Sequence, residues 1–222
     1  ILSRKYNPTT PIERGMLRIA AAILDYERIE DFDVIYRQLQ KSFESRWTAF
    51  AAKTPFERAV LYPTAALLVG QGVVNSNGQV DLSEYWERYN TLDESIKHQF
   101  LNEWAILAPT AALVKAGKMD AYLTRREEVL EIVQDNIGSI HSTGIYLPSL
   151  ERSYVTLATG FLPDDRLKHF DYLYTRLLDS PFRTTRDERA TAVVEAAILA
   201  RYIPGLGPYT TQGTSSGSAP PK

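Results

Sequence analysis

The chain of 222 residues contains no cysteine, two methionines and three histidines. Without cysteine, disulfides, thiolate metal sites and catalysis by a cysteine nucleophile are excluded. The histidines, His98, His141 and His169, form no His-x-x-x-His or His-Glu-x-x-His pair, so a helical zinc site has no ligand set. We therefore expect a protein that needs neither a metal ion nor another cofactor.

Long apolar runs and a dominant charge of one sign are also missing. No run approaches the ~20 residues that span a bilayer, and 25 basic residues against 27 acidic ones give a net charge of −2. This balance argues against a domain built mainly to neutralise nucleic-acid phosphates, although it leaves room for a local basic patch. The chain begins at Ile1 without a signal or transit pattern, so we expect a domain cut from a longer protein.

Motifs of common catalytic machinery are absent or misplaced. Residues 213–217 match Gly-x-Ser-x-Gly, but they lie in a segment without the strand and helix that expose such a serine. Gly117-Lys118 is followed by Met119 instead of Ser or Thr, so the phosphate-binding loop of nucleotide hydrolases is not present. The sequence therefore predicts a protein that is not an enzyme.

Helix starts are readable in several places. Thr10, Pro11 and Glu13 form a capping box with proline at the first helical position, and residues 54–57 repeat the arrangement. The apolar spacing after the first start predicts a buried stripe made of Ile12, Met16, Ile19, Ala20, Ile23 and Leu24.

Further patterns divide the rest of the chain. Residues 31–53 are predicted to form the longest helix, and two helices are predicted near 82–90 and 93–107, the second closed by Pro109. A later helix is predicted to open at Asp164.

The fold class that follows is all-α. We expect an irregular multi-helix bundle of about eight to ten helices around a single core in residues 1–209. Residues 210–222 are dominated by Gly, Ser, Thr and Pro, and we expect a disordered, flexible C-terminal tail there.

Arginines are the most suggestive polar residues. Those of interest are Arg125, Arg126, Arg183, Arg186 and Arg189, with Arg201 at the end of the last predicted helix. A guanidinium cluster can grip acidic peptide segments bidentately, so the first five are candidates for binding an acidic partner. The alternative is that they pair with nearby carboxylates such as Asp187, Glu188 and Glu195.

Four short segments resemble one known family. They are Ile35–Phe43 (IYRQLQKSF), Glu57–Leu61 (ERAVL), Tyr146–Tyr154 (YLPSLERSY) and Val194–Tyr202 (VEAAILARY). In this order they are similar to segments of the DotM/TrbA family, the coupling-complex subunits of type IVB secretion and IncI-type conjugation systems. Gln40 stands where that family has a glycine, and Arg201 where it usually has a histidine.

The resemblance implies a non-enzymatic scaffold or adaptor that docks a coupling ATPase, other secretion-system subunits or substrate proteins. It also implies a location at the cytoplasmic face of the bacterial inner membrane, with membrane attachment through segments absent from this chain and no direct contact with nucleic acid. Two other interpretations stay open. One is an unrelated helical protein-binding module of a phage or regulatory protein, and the other is a helical enzyme acting through His141 and Glu151.

Overall fold

The computed structural model describes residues 2–46, 55–96, 101–138, 149–179 and 186–202. Its helices are α1 (Leu2–Tyr6), α2 (Pro11–Ile23), α3 (Ile29–Arg46), α4 (Pro55–Gln71), α5 (Ser83–Ser95), α6 (Leu101–Ala105), α7 (Leu107–Leu113), α8 (Met119–Gly138), α9 (Ser149–Phe161), α10 (Leu167–Leu178) and α11 (Arg186–Tyr202). Nine of them have seven or more residues, and these ranges contain no β-strand. The predicted all-α bundle is confirmed, while residues 210–222 lie outside the described ranges.

The capping box at the start of α2 is present as predicted. The Thr10 hydroxyl accepts the Glu13 backbone N–H at 3.2 Å, and the Glu13 carboxylate accepts the Thr10 N–H at 3.0 Å. Two donors that the helix itself leaves unsatisfied are thereby paired. The cap of α4 is predicted at Thr54, which lies outside the described residues.

The buried face of α2 differs from the predicted stripe. Ile12, Ile19 and Ile23 are 41–48 % exposed, and the buried residues are Glu13, Leu17 and Ala20. The buried residues share one face of α2, which packs against α4, and Ala20 is the member of the predicted stripe that lies on it. On this face the Glu13 carboxylate also accepts a hydrogen bond from Arg58 of α4 at 3.3 Å.

Three predicted helix boundaries are wrong. Helix α5 continues through residues 90–93, because Tyr89 and Leu92 are buried on the same side of one helix. Pro109 lies in the first turn of α7, where N–H groups have no partner within the helix and proline costs nothing. Asp164 lies before α10, in a turn closed by the Arg166 N–H on the Pro163 carbonyl at 3.1 Å.

The segment predicted as the longest helix, residues 31–53, is described only up to Arg46. It corresponds to α3, which has 18 residues, whereas α8 has 20. No helix within the described ranges is long and apolar enough to cross a bilayer.

The buried apolar side chains of the described residues form two principal clusters and a smaller third one. The first contains Phe32, Ile35, Leu39, Phe43, Tyr85, Leu92, Leu107 and Tyr122. The second contains Val129, Val133, Val155, Phe170, Tyr174, Val193 and Ala197. Helix α8 contributes to both, with Tyr122 in the first cluster and Val129 and Val133 in the second, so it ties the two halves of the bundle together.

Helices α7 and α9 approach each other closely at Gly160. A Cβ atom on Gly160 would lie 3.0 Å from the Cβ and 3.1 Å from Cδ1 of Leu113. The first of these atoms is fixed to the backbone of α7, so it cannot move aside without moving the helix. A side chain at position 160 would therefore require α7 to shift by a few tenths of an ångström.

We expect Gly160→Ala to lower the free energy of unfolding by about 1–2 kcal/mol, because the added methyl group overpacks the contact with Leu113. Gly70 is the matched control, since it is also the penultimate residue of a helix and nothing lies within 4 Å of an added Cβ. Gly70→Ala should leave stability unchanged or raise it by up to about 1 kcal/mol. Urea titrations of both variants measure the difference, and equal midpoints would contradict the packing argument.

Glu13 links the capping box to the stability of the fold. Burial by itself raises the pKa of Glu13, but hydrogen bonds from Thr10 and Thr9 outweigh it and bring the pKa down to about 2 from 4.5. A carboxylate whose pKa is lower in the folded state stabilises the fold above its unfolded pKa. That contribution is complete above about pH 4.5 and is lost as the pH falls toward 2.

Glu13→Gln should therefore lower the free energy of unfolding by about 2 kcal/mol at pH 7, because the amide has no charge and only one acceptor oxygen, whereas one carboxylate oxygen accepts from Thr9 and Thr10 and the other from Arg58. The difference from wild type should shrink as the pH falls through this window. Glu44→Gln, at an exposed position of α3, serves as the control and should have no effect. Denaturant titrations between pH 7 and pH 3 provide the test, and a difference independent of pH would rule the account out.

Candidate functional site

A cavity of about 650 Å³ lies where the ends of several helices meet. Helices α4, α7, α9 and α11 end at it, and α5 and α8 begin at it. We call it the basic cavity, for the charged side chains described below. A volume of this size falls in the range of sites that take a small molecule or a few residues of a peptide.

The helix ends bring carbonyl groups to the basic cavity, and side chains of other helices satisfy them. Arg88 of α5 donates to the Ala111 carbonyl at 2.9 Å, and Gln71 of α4 donates to the Ala112 carbonyl. Arg201 of α11 makes a longer contact of 3.4 Å with the Phe161 carbonyl at the end of α9. The last carbonyls of a helix have no partner within the helix, so these donors act as caps.

Charged side chains around the basic cavity are mostly positive. The basic ones are Arg88, Lys115, Lys118, Arg125 and Arg201, and the acidic ones are Glu84 and Asp164. Each helix end adds about half a unit charge, negative at the four C-termini and positive at the two N-termini, so the helix dipoles together add about one negative charge. The side chains alone carry an excess of three positive charges, in a chain whose net charge is −2.

Arg88 is held mainly by neutral acceptors. Besides the Ala111 carbonyl, its guanidinium donates to the Gln71 side chain at 3.0 Å and lies 3.5 Å from Glu84, one turn earlier in α5. The Arg88 side chain is buried, whereas Glu84 is exposed to solvent. Its positive charge is therefore fixed in place at the wall of the basic cavity and only weakly neutralised.

Arg125 of α8 has a different environment. Its side chain is 13 % exposed, it is paired with Asp164, and its buried Nε atom has no hydrogen-bond partner among the described residues. Burial lowers the pKa of the Arg125 guanidinium. A guanidinium stays charged despite this shift, so Arg125 is a recessed cation with an unused N–H donor at Nε.

Apolar side chains complete the wall of the basic cavity. They include Leu67, Leu113, Val114, Phe161, Leu162 and Pro163. Tyr122 is also at the wall, but its hydroxyl donates to the Thr156 carbonyl at 2.7 Å, and burial raises its pKa. Tyr122 is thus neutral and engaged in packing, so the cations are the groups that give the cavity its chemistry.

Of the five arginines singled out from the sequence, the structure brings Arg125 to the basic cavity. Arg126 follows it on α8 but is buried and donates to Thr156 at 3.1 Å and Glu127 at 2.7 Å. Arg189 lies on α11, twelve residues before Arg201, which is about 18 Å along the helix axis. Arg186 begins α11, with its side chain outside the description, and Arg183 lies outside the described residues. Binding of acidic partners by these residues stays a prediction.

Arg88, Lys115 and Lys118 were missed by the sequence analysis. Lys115 and Lys118 flank Gly117, which has a φ of 68° in the turn between α7 and α8. Two lysines beside a turn glycine at a helix junction are a weak but readable sign of a basic loop. Arg88 gives no such sign, because Glu84 one turn earlier makes it resemble an ordinary exposed ion pair.

Groups suited to catalysis are not gathered at this site. His169 is buried on α10, and its Nε2 atom has no partner within the described part of the chain. His98 and His141 lie outside that part, so the pairing of His141 with Glu151 stays untested. The described residues contain no group of three or more His, Asp or Glu side chains that could hold a metal ion.

The basic cavity can therefore bind an anionic group, with recessed cations for charge and apolar walls for the atoms beside it.

No protein-family model, no curated protein and no solved structure matches this chain significantly.

Proposed function

We propose that this chain is a non-enzymatic adaptor domain whose basic cavity binds an acidic segment of a partner protein. The observation that supports this most is the excess of three positive charges around one concave site in a chain that is acidic as a whole. Charge of one sign in a cleft attracts ligands of the opposite sign and helps to reject others.

The shape of the site favours a peptide over a nucleic acid. Arg88 and Arg125 are recessed, so their guanidinium groups are reached by a carboxylate on a flexible side chain that enters the basic cavity. A nucleic-acid backbone instead needs cations along an exposed stripe. The apolar wall beside the cations, at Leu113 and Phe161, suits an acidic segment that also carries an apolar residue.

The biological setting we propose is the coupling complex of a type IV secretion or conjugation system. It rests on the resemblance of four segments to the DotM/TrbA family. In that setting the domain lies at the cytoplasmic face of the bacterial inner membrane and docks a coupling ATPase or substrate proteins. Attachment to the membrane is through segments outside this chain.

The charge of the basic cavity gives a direct test. Lys115→Glu together with Lys118→Glu should weaken binding of a fluorescent glutamate-rich peptide by about tenfold or more, because two attractive charges become repulsive. Fluorescence anisotropy at low and moderate salt measures this, and wild-type binding should weaken as salt rises. A peptide with glutamine in place of glutamate should bind much more weakly.

The matched control is Lys41→Glu with Lys168→Glu. Both lysines are exposed, neither lines the basic cavity, and the change in net charge is the same. Binding by this control should stay within about twofold of wild type. Equal loss in both double variants would show that overall charge, not this cavity, attracts the peptide, and would reject the site.

The setting is tested separately by co-purification of the protein with a coupling ATPase of a type IV secretion or conjugation system from the same source. We expect association at low salt that Lys115→Glu with Lys118→Glu weakens and the control variant does not. Failure to associate at low salt would argue against the coupling-complex setting even if the peptide binds.

A further inference from the structure

The pair formed by Arg125 and Asp164 joins a recessed cation to a carboxylate at the surface. The Arg125 side chain is 13 % exposed, whereas that of Asp164 is 67 % exposed. Asp164 comes from the four-residue turn 163–166 between α9 and α10, while Arg125 is fixed on α8, 39 residues earlier. The two partners are thus held very differently: the arginine has little freedom, and the carboxylate sits on a short surface loop.

Separating Asp164 from Arg125 costs the Asp164 carboxylate little free energy. Its carboxylate is already largely in water, and ion pairs with an exposed member are weak because water solvates the released charge well. For Arg125 the opposite holds, because a recessed guanidinium without a partner is poorly solvated. Arg125 therefore needs an anion, but nothing in its geometry requires that this anion be Asp164.

We propose that Asp164 is a built-in competitor that occupies Arg125 until the acidic group of a partner displaces it. This inference rests on the proposed function, since it assumes that the basic cavity takes an acidic segment. A carboxylate of the partner takes over the Arg125 guanidinium, and Asp164 turns out into solvent. The affinity of the cavity is then set by how often Asp164 is away from Arg125.

Glu84 does not play the same part. It faces Arg88, whose guanidinium also donates to the Ala111 carbonyl and to Gln71. Without Glu84, Arg88 still has these two neutral acceptors, so it keeps hydrogen-bond partners whether or not a carboxylate takes the place of Glu84. Arg125 is the cation of the cavity whose described hydrogen-bond acceptor is a displaceable carboxylate.

The size of the effect follows from the occupancy of the internal pair. If Asp164 holds Arg125 about 80–90 % of the time, the apparent affinity is reduced about five- to tenfold relative to an open site. Removing the charge of Asp164 should therefore raise the apparent affinity by the same factor, about five- to tenfold.

The test compares Asp164→Asn with Asp165→Asn. Asp165 is the next residue in the same turn, is also exposed, and lies 3.8 Å from Arg166 instead of Arg125. Both variants lose one negative charge from the same loop, so the change in net charge is common to them, although Asp164 lines the basic cavity and Asp165 does not. We expect Asp164→Asn to bind the glutamate-rich peptide about five- to tenfold more tightly than wild type, and Asp165→Asn to bind it within about twofold of wild type.

The outcomes separate the two proposals. Tight binding by Asp164→Asn alone supports both. Equal binding by wild type and both variants leaves the acidic-segment site standing and overturns the competitor. An equal gain in peptide affinity in both variants also overturns the competitor proposal, because the gain then comes from the change in net charge. If neither wild type nor Asp164→Asn binds the peptide, both proposals fail, and urea titration of each variant shows that it is folded.

Discussion

The carbonyl groups at the ends of α7 and α9 must find hydrogen-bond donors, and much of the structure around the basic cavity follows from this requirement. A buried carbonyl without a donor costs about 1–3 kcal/mol. The donors come from three other helices: Gln71 from α4, Arg88 from α5 and Arg201 from α11. Side chains that cap one helix therefore also connect it to another, and apolar residues cannot replace them at these positions.

The cations of the basic cavity are of two kinds, those that cap helix carbonyls and those that do not. Arg88 and Arg201 have carbonyl acceptors, so part of their charge is needed to hold the bundle together. Lys115 and Lys118 are exposed in the turn between α7 and α8, and Arg125 faces Asp164. The second kind has donors that can turn to a ligand without disturbing the fold. Arg88 and Arg201 thus stabilise the bundle, whereas Lys115, Lys118 and Arg125 are available to bind a ligand.

Much of the fold was readable from the sequence, because helix capping and apolar period are local. The Thr10–Glu13 capping box was predicted to the residue, and most helices lie where the patterns put them. The buried face of α2 could not be read, because it depends on packing against α4, a contact that includes the hydrogen bond between Glu13 and Arg58, 45 residues apart. Pro109 was read as a terminator because the start of α7 carries no side-chain cap to announce it.

The basic cavity could be predicted only in part, because it too depends on contacts between residues far apart in the sequence. Arg125 stood out as one of two adjacent arginines, but nothing local distinguishes it from Arg126, which faces Thr156 one helix away. Whether an arginine points to a cavity or into a helix interface is decided by the rotation of α8 against α9. A charge cluster assembled from three helices and two turns leaves no spacing signature that a single sequence can show.

The uneven placement of charge also affects how the molecule moves toward a partner. Because the basic cavity holds an excess of three positive charges and the chain as a whole carries −2, the rest of the protein is more negative than the total indicates. Such a molecule has an electric dipole moment directed toward the cavity. In the field of an acidic partner it rotates to present that face before contact, so collisions become productive more often at low ionic strength.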